Sequence, residues 1–286
     1  NLPDVAVVPS EHFNTVLWTG NGTTGTNITN VGFAPSFTWL KGRDIGSDPH
    51  QLYDTVRGAT KSLKSDATDA EITRSTGLTA FGTDGFTIGN HAYVNRNTSS
   101  YVAWNWKANT TPSKTYAVTV VSDSGNKYRF DGFGTSAVTL DLQEGGTYKF
   151  DQSHSSNSGH PFRFGTSANG SDYTTGVTTS GTPGNSGAYT QITVAAGAST
   201  LYYACSAHSG MGGQANTNST SGSSNFSGSI QSNNSANVDA GFSVATYTAG
   251  DSDENIGHGL SKAPEVVIVK RRNAAGNWVS FWTPLT

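Results

Sequence analysis

Short runs in which apolar and polar residues alternate recur along the chain, and turns rich in glycine, asparagine and serine separate them. Typical runs are SFTWLK at 36–41, YVAWNWKA at 101–108, TYKFDQ at 147–152 and EVVIVK at 265–270. Alternation puts successive side chains on opposite faces of a strand, so that one face can be buried. The pattern predicts an almost entirely β protein, in which the one helix candidate lies around Thr60–Glu71.

One pattern occurs twice. Residues 13–43 and 242–272 both alternate, turn at a Gly-rich loop and resume after an Ala-Pro pair with a strand. The matched pairs are Phe13 with Phe242, Trp18 with Tyr247, Thr19 with Thr248, Ile28 with Ile256, Pro35 with Pro264, Lys41 with Lys270 and Arg43 with Arg272. The repeat predicts a strand–turn–strand unit used twice. The second copy stops after Trp282, so we expect further chain beyond Thr286 or a neighbouring subunit to complete it.

Polar stretches divide the chain. Gln214–Asp239 has almost no apolar content, which is typical of a linker or an extended surface segment, and Asn109–Lys114 forms a shorter break. The fold class expected is all-β, with several β-sandwiches. The expected parts are an N-terminal arm at 1–12, a β-sandwich at 13–110, a central Greek-key sandwich at 115–214, a Ser/Asn/Gly-rich linker at 215–240 and a partial repeat of the first sandwich at 241–286.

Charge and cysteine content exclude several classes of protein. The formal net charge is −3 and no run of basic residues occurs, whereas a protein that neutralises nucleic-acid phosphates normally has a basic surface. No apolar stretch approaches the ~20 residues that a membrane-spanning helix needs. Cys205 is the single cysteine, so a disulfide framework within the chain is impossible and stability must come from packing, oligomerisation or a metal.

The segment LYYACSAHSGMGG at 201–213 carries the candidate chemistry. Cys205, His208 and Met211 form a C-x2-H-x2-M pattern, and His160 opens the apolar run HPFRF 45 positions before the cysteine. Two imidazoles, a thiolate and a weak thioether are the ligands of a type 1 copper site. The alternative is a sandwich that keeps these side chains as a buried loop without a metal. His154, in a Ser-rich turn, is expected to be an exposed loop residue.

The segment from about Tyr116 to Gln214 resembles the plastocyanin and amicyanin family of cupredoxins. The resemblance lies in TYKFDQ, HPFRF and ITVAAGASTLYYACSAHSGM, with the spacing of the last two ligands most similar to amicyanin. It implies that His160 is the isolated ligand, that Cys205 and His208 are strong ligands and that Met211 is axial. Two features depart from the family: Pro161 replaces the usual asparagine after the first histidine, and the polar insert at 166–189 is additional.

The first module resembles a β-sandwich domain found repeatedly in structural proteins of marine bacteriophages. The residues that carry the resemblance are TGNGTTGTNITNVGFAPSFTWLKGRD, LYDTVRG, LTAFGTDGFTIG and YVAWNWKA. The resemblance implies a virion component such as a tail fibre, tail tip or capsid-surface appendage, displayed outside the cell. The expected partners are further copies of the chain, with a trimer as first guess, other virion proteins and a host surface glycan or receptor.

Two other functions compete with this one. The first is a copper-binding cupredoxin in electron transfer, carrying flanking display domains. The second is an extracellular carbohydrate-binding or carbohydrate-active protein, although the sequence singles out no pair of acid and nucleophile for glycoside hydrolysis. We therefore expect a protein that is not an enzyme. Asp44, Asp48, His50 and Asp54 are interpreted as ordinary loop residues.

Overall fold

The described part of the chain forms two units, each built from β-strands. The computed structural model describes residues 7–108 and 112–283, so residues 1–6 of the predicted arm and 109–111 of the predicted break lie outside it. Within the described ranges, the first unit comprises 7–108, 236–244 and 260–283, and the second comprises 112–235 and 245–259. The residues predicted as a partial repeat, 241–286, are divided between the two units. They do not form a unit of their own.

The long N-terminal segment of the first unit is a sandwich of two antiparallel sheets. One sheet has the order β1-β9-β3-β4 and the other has the order β2-β8-β7. The strands are β1 (Phe13–Thr19), β2 (Thr26–Ile28), β3 (Phe37–Gly42), β4 (Gln51–Asp54), the short pair β5 (Lys61–Ser62) and β6 (Ile72–Thr73), β7 (Leu78–Gly82), β8 (Gly85–Ile88) and β9 (Ser100–Trp106). A 3-10 helix at Pro9–Glu11 precedes β1.

A buried cluster joins the two sheets of this sandwich. Leu40 and Tyr101 come from the four-stranded sheet, whereas Leu78 and Ile88 come from the three-stranded sheet, and all four are fully buried. Apolar side chains on the two facing sheets are removed from water when they pack against each other. This cluster is therefore the core that the alternating pattern predicts.

The helix predicted around Thr60–Glu71 is wrong. The segment contains β5, and Leu63 forms an antiparallel bridge with Leu52, with hydrogen bonds of 2.8 and 3.2 Å between their backbones. Burial of Leu63 against the sandwich therefore overrides the local preference for a helix. Among the described residues, the one α-helix is α1 (Ala92–Asn95), a single turn that the side chain of His91 caps.

Within the described ranges, no helix has both the length and the apolar content needed to cross a membrane.

The second unit contains a second sandwich, with mixed sheets of five and four strands. The orders are β11-β10-β13-β16-β15 and β12-β18-β17-β14, and the β10–β13 and β12–β18 pairs are parallel. The strands are β10 (Ser113–Ser122), β11 (Asn126–Phe130), β12 (Leu140–Gln143), β13 (Thr147–Asp151), β14 (Phe162–Gly165), β15 (Val177–Ser180), β16 (Tyr189–Thr193), β17 (Leu201–Cys205) and β18 (Gly213–Asn218), with a 3-10 helix at Ser155–Asn157. The polar insert at 166–189 supplies β15, an edge strand.

Aromatic rings fill the core of the second unit. Phe130 and Phe150 from one sheet lie within 6.3 and 4.6 Å of Phe162 from the other, measured between ring centroids, and all three are buried. Tyr203 stacks on Phe162 with centroids 5.5 Å apart. Such rings bury large areas and pack in preferred geometries, so they hold the two sheets in a defined register.

The linker predicted at 215–240 is wrong, because this segment is ordered and partly buried. It continues β18 and contains β19 (Ser223–Asn225) and β20 (Ser232–Asn237), which join β21 (Phe242–Tyr247) in a three-stranded sheet. The hydroxyl oxygen of Ser224 accepts a 2.7 Å hydrogen bond from the backbone of Asp141, and Ser224 is fully buried. Satisfied hydrogen bonds allow polar residues to be buried at little cost, which apolar content alone does not reveal.

The last strands, β22 (Val266–Lys270) and β23 (Trp278–Trp282), form an antiparallel hairpin in the first unit. Its connecting loop is tied to the sandwich, because Arg272 forms an ion pair with Glu71, which also pairs with Arg57. Burial opposes ionisation of Glu71, but hydrogen bonds from Arg272 and Arg57 outweigh it and lower the pKa of the carboxyl. The strands predicted at 36–41 and 265–270 are confirmed as β3 and β22.

Replacing Phe226 tests whether the 215–240 segment carries core packing. Phe226 is buried and stacks on Phe130 with ring centroids 5.8 Å apart. We expect Phe226→Ala to lower the free energy of unfolding by about 3–5 kcal/mol, because a buried ring is lost and a cavity remains. Chemical denaturation measures the change. Val238→Ala, at an exposed position, is the control and should have little effect; equal stability of the two variants would contradict the packing.

Lys114 makes the stability of the second unit depend on pH. Burial lowers the pKa of its ammonium from 10.5 to about 8, with Asp131 opposing the shift. Between pH 8 and 10.5 the unfolded chain therefore binds more protons than the folded one, so stability contributed by this group rises with pH. From pH 7 to 9.5 we expect the wild type to gain at most about 2 kcal/mol relative to Lys114→Met. If the free energies of unfolding of the wild type and Lys114→Met changed equally between pH 7 and 9.5, the lowered pKa of Lys114 would be contradicted.

Candidate metal centre

The pairing of β14 with β17 brings the predicted ligands together. The two strands are antiparallel, with Phe162 opposite Cys205, and His160 lies two residues before Phe162. Beyond the paired residues, the backbone N–H of Ser206 donates to the carbonyl oxygen of Pro161 at 3.0 Å. The first histidine and the cysteine loop therefore meet at one end of the sandwich, although 45 positions separate His160 from Cys205 in the sequence.

Three of the four predicted ligands have donor atoms in one cluster. The Sγ of Cys205 lies 3.9 Å from Nδ1 of His160 and 3.6 Å from Nδ1 of His208. Candidate ligand atoms of the three residues lie within 4.8 Å of one another, and the imidazole centroids are 4.6 Å apart. Bonds of about 2.0 Å from an ion to nitrogen and 2.3 Å to sulfur, at an angle of about 110–120°, hold the nitrogen and the sulfur about 3.5–3.7 Å apart. The observed spacing is thus that of ligands around one ion.

Burial and charge suit the cluster to a cation. Burial lowers the pKa of His160, and the neighbouring His208 lowers it further, so its imidazole favours the neutral form that binds metals. The Sγ of Cys205 is buried and accepts the backbone N–H of Ala207 at 3.4 Å. His208 is exposed. The cluster therefore has a buried sulfur side and a nitrogen side open to solvent.

Met211 is buried in the core of the second unit. It belongs to the same cluster of buried side chains as Cys205 and Phe162. Its carbonyl oxygen accepts a 2.9 Å hydrogen bond from the backbone N–H of Tyr128. The axial role that the cupredoxin resemblance implies for Met211 stays a prediction.

Sequence reasoning missed the residues that hold the ligands. The hydroxyl of Tyr128 on β11 and the amide of Gln152 each donate to the carbonyl oxygen of His160 at 2.8 Å. Burial raises the pKa of Tyr128, and its interaction with Cys205 raises it further. No spacing or motif marks Tyr128, which comes from a strand remote in sequence from the ligand loop. Gln152 ends the run TYKFDQ, but alternation does not show that its amide bonds to His160.

Other residues considered as ligands have structural partners. His154 is exposed and caps the 3-10 helix through Nδ1, as its predicted place in a surface loop suggests. Asp48 pairs with Arg96, and Asp54 pairs with Arg57. Nδ1 of His50 accepts the indole N–H of Trp39 at 2.8 Å. Among the described residues, the His160–Cys205–His208 cluster is the one group of three or more histidine, cysteine or acidic side chains spaced to hold an ion.

The donor set restricts which ions fit. One thiolate and two imidazoles suit soft or borderline cations such as copper and zinc, whereas magnesium and calcium require oxygen ligands. Because His208 is exposed, an ion held here would lie near the surface of the second unit.

Comparison with known proteins identifies a family but no function. No curated protein matches the chain, and no solved structure does. The model of a family described as a domain of unknown function, DUF7483, matches residues 8–196 and 213–286. The matched residues omit 197–212, the segment that contains Cys205, His208 and Met211. Since the match covers most of its length, this chain belongs to the DUF7483 family.

Proposed function

We propose that the second unit binds a single copper ion through His160, Cys205 and His208, with Met211 as a weak axial ligand. The observation that carries the proposal is the distance of 3.6 and 3.9 Å from the sulfur to the two Nδ1 atoms. A trigonal set of one thiolate and two imidazoles beside a thioether is typical of blue-copper sites. Copper in such a site supplies one-electron transfer.

The surrounding fold supports a cupredoxin-like reading of this unit. Two mixed sheets enclose one aromatic core, and three of the predicted ligands lie at the end of β17 (Cys205) and in the loop that leads to β18 (His208 and Met211). The exposed imidazole of His208 would give an electron-transfer partner access to the ion. The ion would also join the buried cysteine to the loop of His160, so its binding free energy would stabilise the folded unit.

Copper titration of the purified chain tests the proposal. We expect one ion per chain, a strong visible charge-transfer band and a higher unfolding temperature, because an ion that binds the folded state alone stabilises it. Cys205→Ser and His208→Ala should lose the band and weaken binding by at least about 100-fold, since each removes a strong ligand. Met211→Leu should keep the ion and shift the band, because axial ligands tune such sites.

His154→Ala is the matched control, because it removes a histidine of the same unit whose side chain caps a 3-10 helix and lies outside the cluster. It should bind copper like the wild type. A wild-type chain that stays colourless and retains no copper would contradict the proposal and leave the buried loop without a metal as the interpretation.

A second role, in assembly, is supported by the β22–β23 hairpin. Apolar side chains stand on both of its faces, with Ile268 on one and Val279 and Phe281 on the other, each 55–63% exposed. Contiguous exposed apolar groups on a two-stranded sheet favour cover by another protein surface. We propose that the chain is a non-catalytic structural component of a bacteriophage virion, with copies of itself and other virion proteins as partners and a host glycan or receptor as the target of display.

Oligomeric state tests the assembly role. We expect the wild type to form a homo-oligomer, with a trimer as first guess, and Val279→Thr/Phe281→Thr to shift it towards monomer, because threonine keeps the strand but removes apolar area. Light scattering after size-exclusion chromatography measures the mass. Leu17→Thr, at an exposed leucine on β1 outside the hairpin, is the control and should not change it. A stable monomeric wild type would contradict the role.

A further inference from the structure

The backbone of His160 is held more firmly than that of an ordinary loop residue. Its carbonyl oxygen accepts two hydrogen bonds of 2.8 Å, one from the hydroxyl of Tyr128 and one from the side-chain amide of Gln152. Both donors come from buried residues. With both lone pairs of the carbonyl engaged, the peptide that follows the imidazole has a fixed orientation.

Gln152 also ties this peptide to β14. Its Oε1 accepts the backbone N–H of Phe162 at 3.1 Å, so one side chain bonds on both sides of Pro161. Proline has no N–H to donate at that position. The side chain of Gln152 therefore bridges Pro161, which has no backbone N–H to donate.

Tyr128 also contacts the ligand loop on the other side of the cluster. Its backbone N–H donates to the carbonyl oxygen of Met211 at 2.9 Å. The ammonium of the neighbouring Lys127 donates to the carbonyl oxygen of Gly210. Strand β11 thus holds two successive carbonyls of the loop while the Tyr128 hydroxyl holds His160. One residue therefore connects the isolated histidine with the segment that carries Cys205, His208 and Met211.

We propose that Tyr128 is a positioning residue for the metal centre, with Gln152 as a second donor to the same carbonyl. The inference rests on the proposed copper binding. Groups outside the ligand set that orient a ligand imidazole determine affinity and electronic structure without touching the ion. Removal of the Tyr128 hydroxyl leaves the carbonyl oxygen of His160 held by Gln152 alone, so the imidazole is held less firmly in its direction towards the sulfur of Cys205.

Copper titration of Tyr128→Phe tests this role. The variant keeps the ring that packs on Phe162 and the backbone bond to Met211, and loses the hydroxyl alone. We expect copper affinity to fall about 10–100-fold and the visible charge-transfer band to shift, as for other groups that orient ligands. The readouts are the dissociation constant from competition with a chelator and the position of the band.

Tyr116→Phe is the matched control. Tyr116 is equally buried in the same core, and its hydroxyl donates to a backbone carbonyl, that of Ser224, at 2.8 Å. We expect this variant to lower thermal stability much as Tyr128→Phe does, but to keep the affinity and band of the wild type. A purely structural role of Tyr128 would make the two variants alike in copper binding, which would overturn the inference.

Two further outcomes are distinguishable. If the wild type binds copper and Tyr128→Phe binds it with unchanged affinity and spectrum, the positioning role fails and the proposed function stands. If the wild type binds no copper, the proposed function fails and the inference fails with it. Should Tyr128→Phe not fold, Gln152→Met removes the other donor to His160, and the same loss of affinity and shift of the band are expected. Wild-type copper binding by Gln152→Met would then overturn the inference.

Discussion

The antiparallel pairing of β14 with β17 is the constraint on which the candidate centre depends. It sets Phe162 opposite Cys205 and thereby places His160, just beyond the strand, beside the thiol. A shift of one residue in this register would turn Cys205 to the opposite face of its sheet. The stacking of Phe162 on Tyr203 and Phe150 resists such a shift, because all three rings are buried in one core. The geometry of the donor atoms is therefore a consequence of aromatic packing.

The ligand loop depends on hydrogen bonds as well as on packing. Its backbone is bonded to β11 at Gly210 and Met211 and to the His160 segment at Ser206. A loop that becomes ordered when a metal ion binds loses conformational entropy, which weakens binding. A loop whose backbone is ordered before binding loses less. Here the bonds to β11 and to Pro161 hold the backbone of the loop and thereby keep the donor atoms of Cys205 and His208 close together.

Local pattern predicted much of this structure, and its failures share a cause. Alternation marked the strands, and the C-x2-H-x2-M spacing with His160 marked the donor cluster. Alternation can be seen within a few neighbouring residues, and the C-x2-H-x2-M spacing is a strong chemical pattern of metal-binding residue types. The helix around Thr60–Glu71 and the linker at 215–240 were wrong because distant contacts decide those segments: Leu63 bridges to Leu52, and Phe226 packs among the rings of the second core. Tyr128 escaped notice for the same reason, since only the fold brings it to His160.

The surroundings of the cluster differ in polarity from one side to the other. On one side Cys205 and Met211 are buried among aromatic rings, and on the other His208 is exposed. An apolar surround penalises net charge, and the single negative charge of a thiolate offsets the whole charge of a monovalent cation and half the charge of a divalent one. The net charge of the ion and the thiolate therefore differs by one between the monovalent and the divalent ion, and burial strongly disfavours neither. A structural zinc site, by contrast, usually has four strong ligands, and this cluster offers three with a thioether nearby in the same core. Donor type and burial at the cluster are compatible with the proposed copper ion.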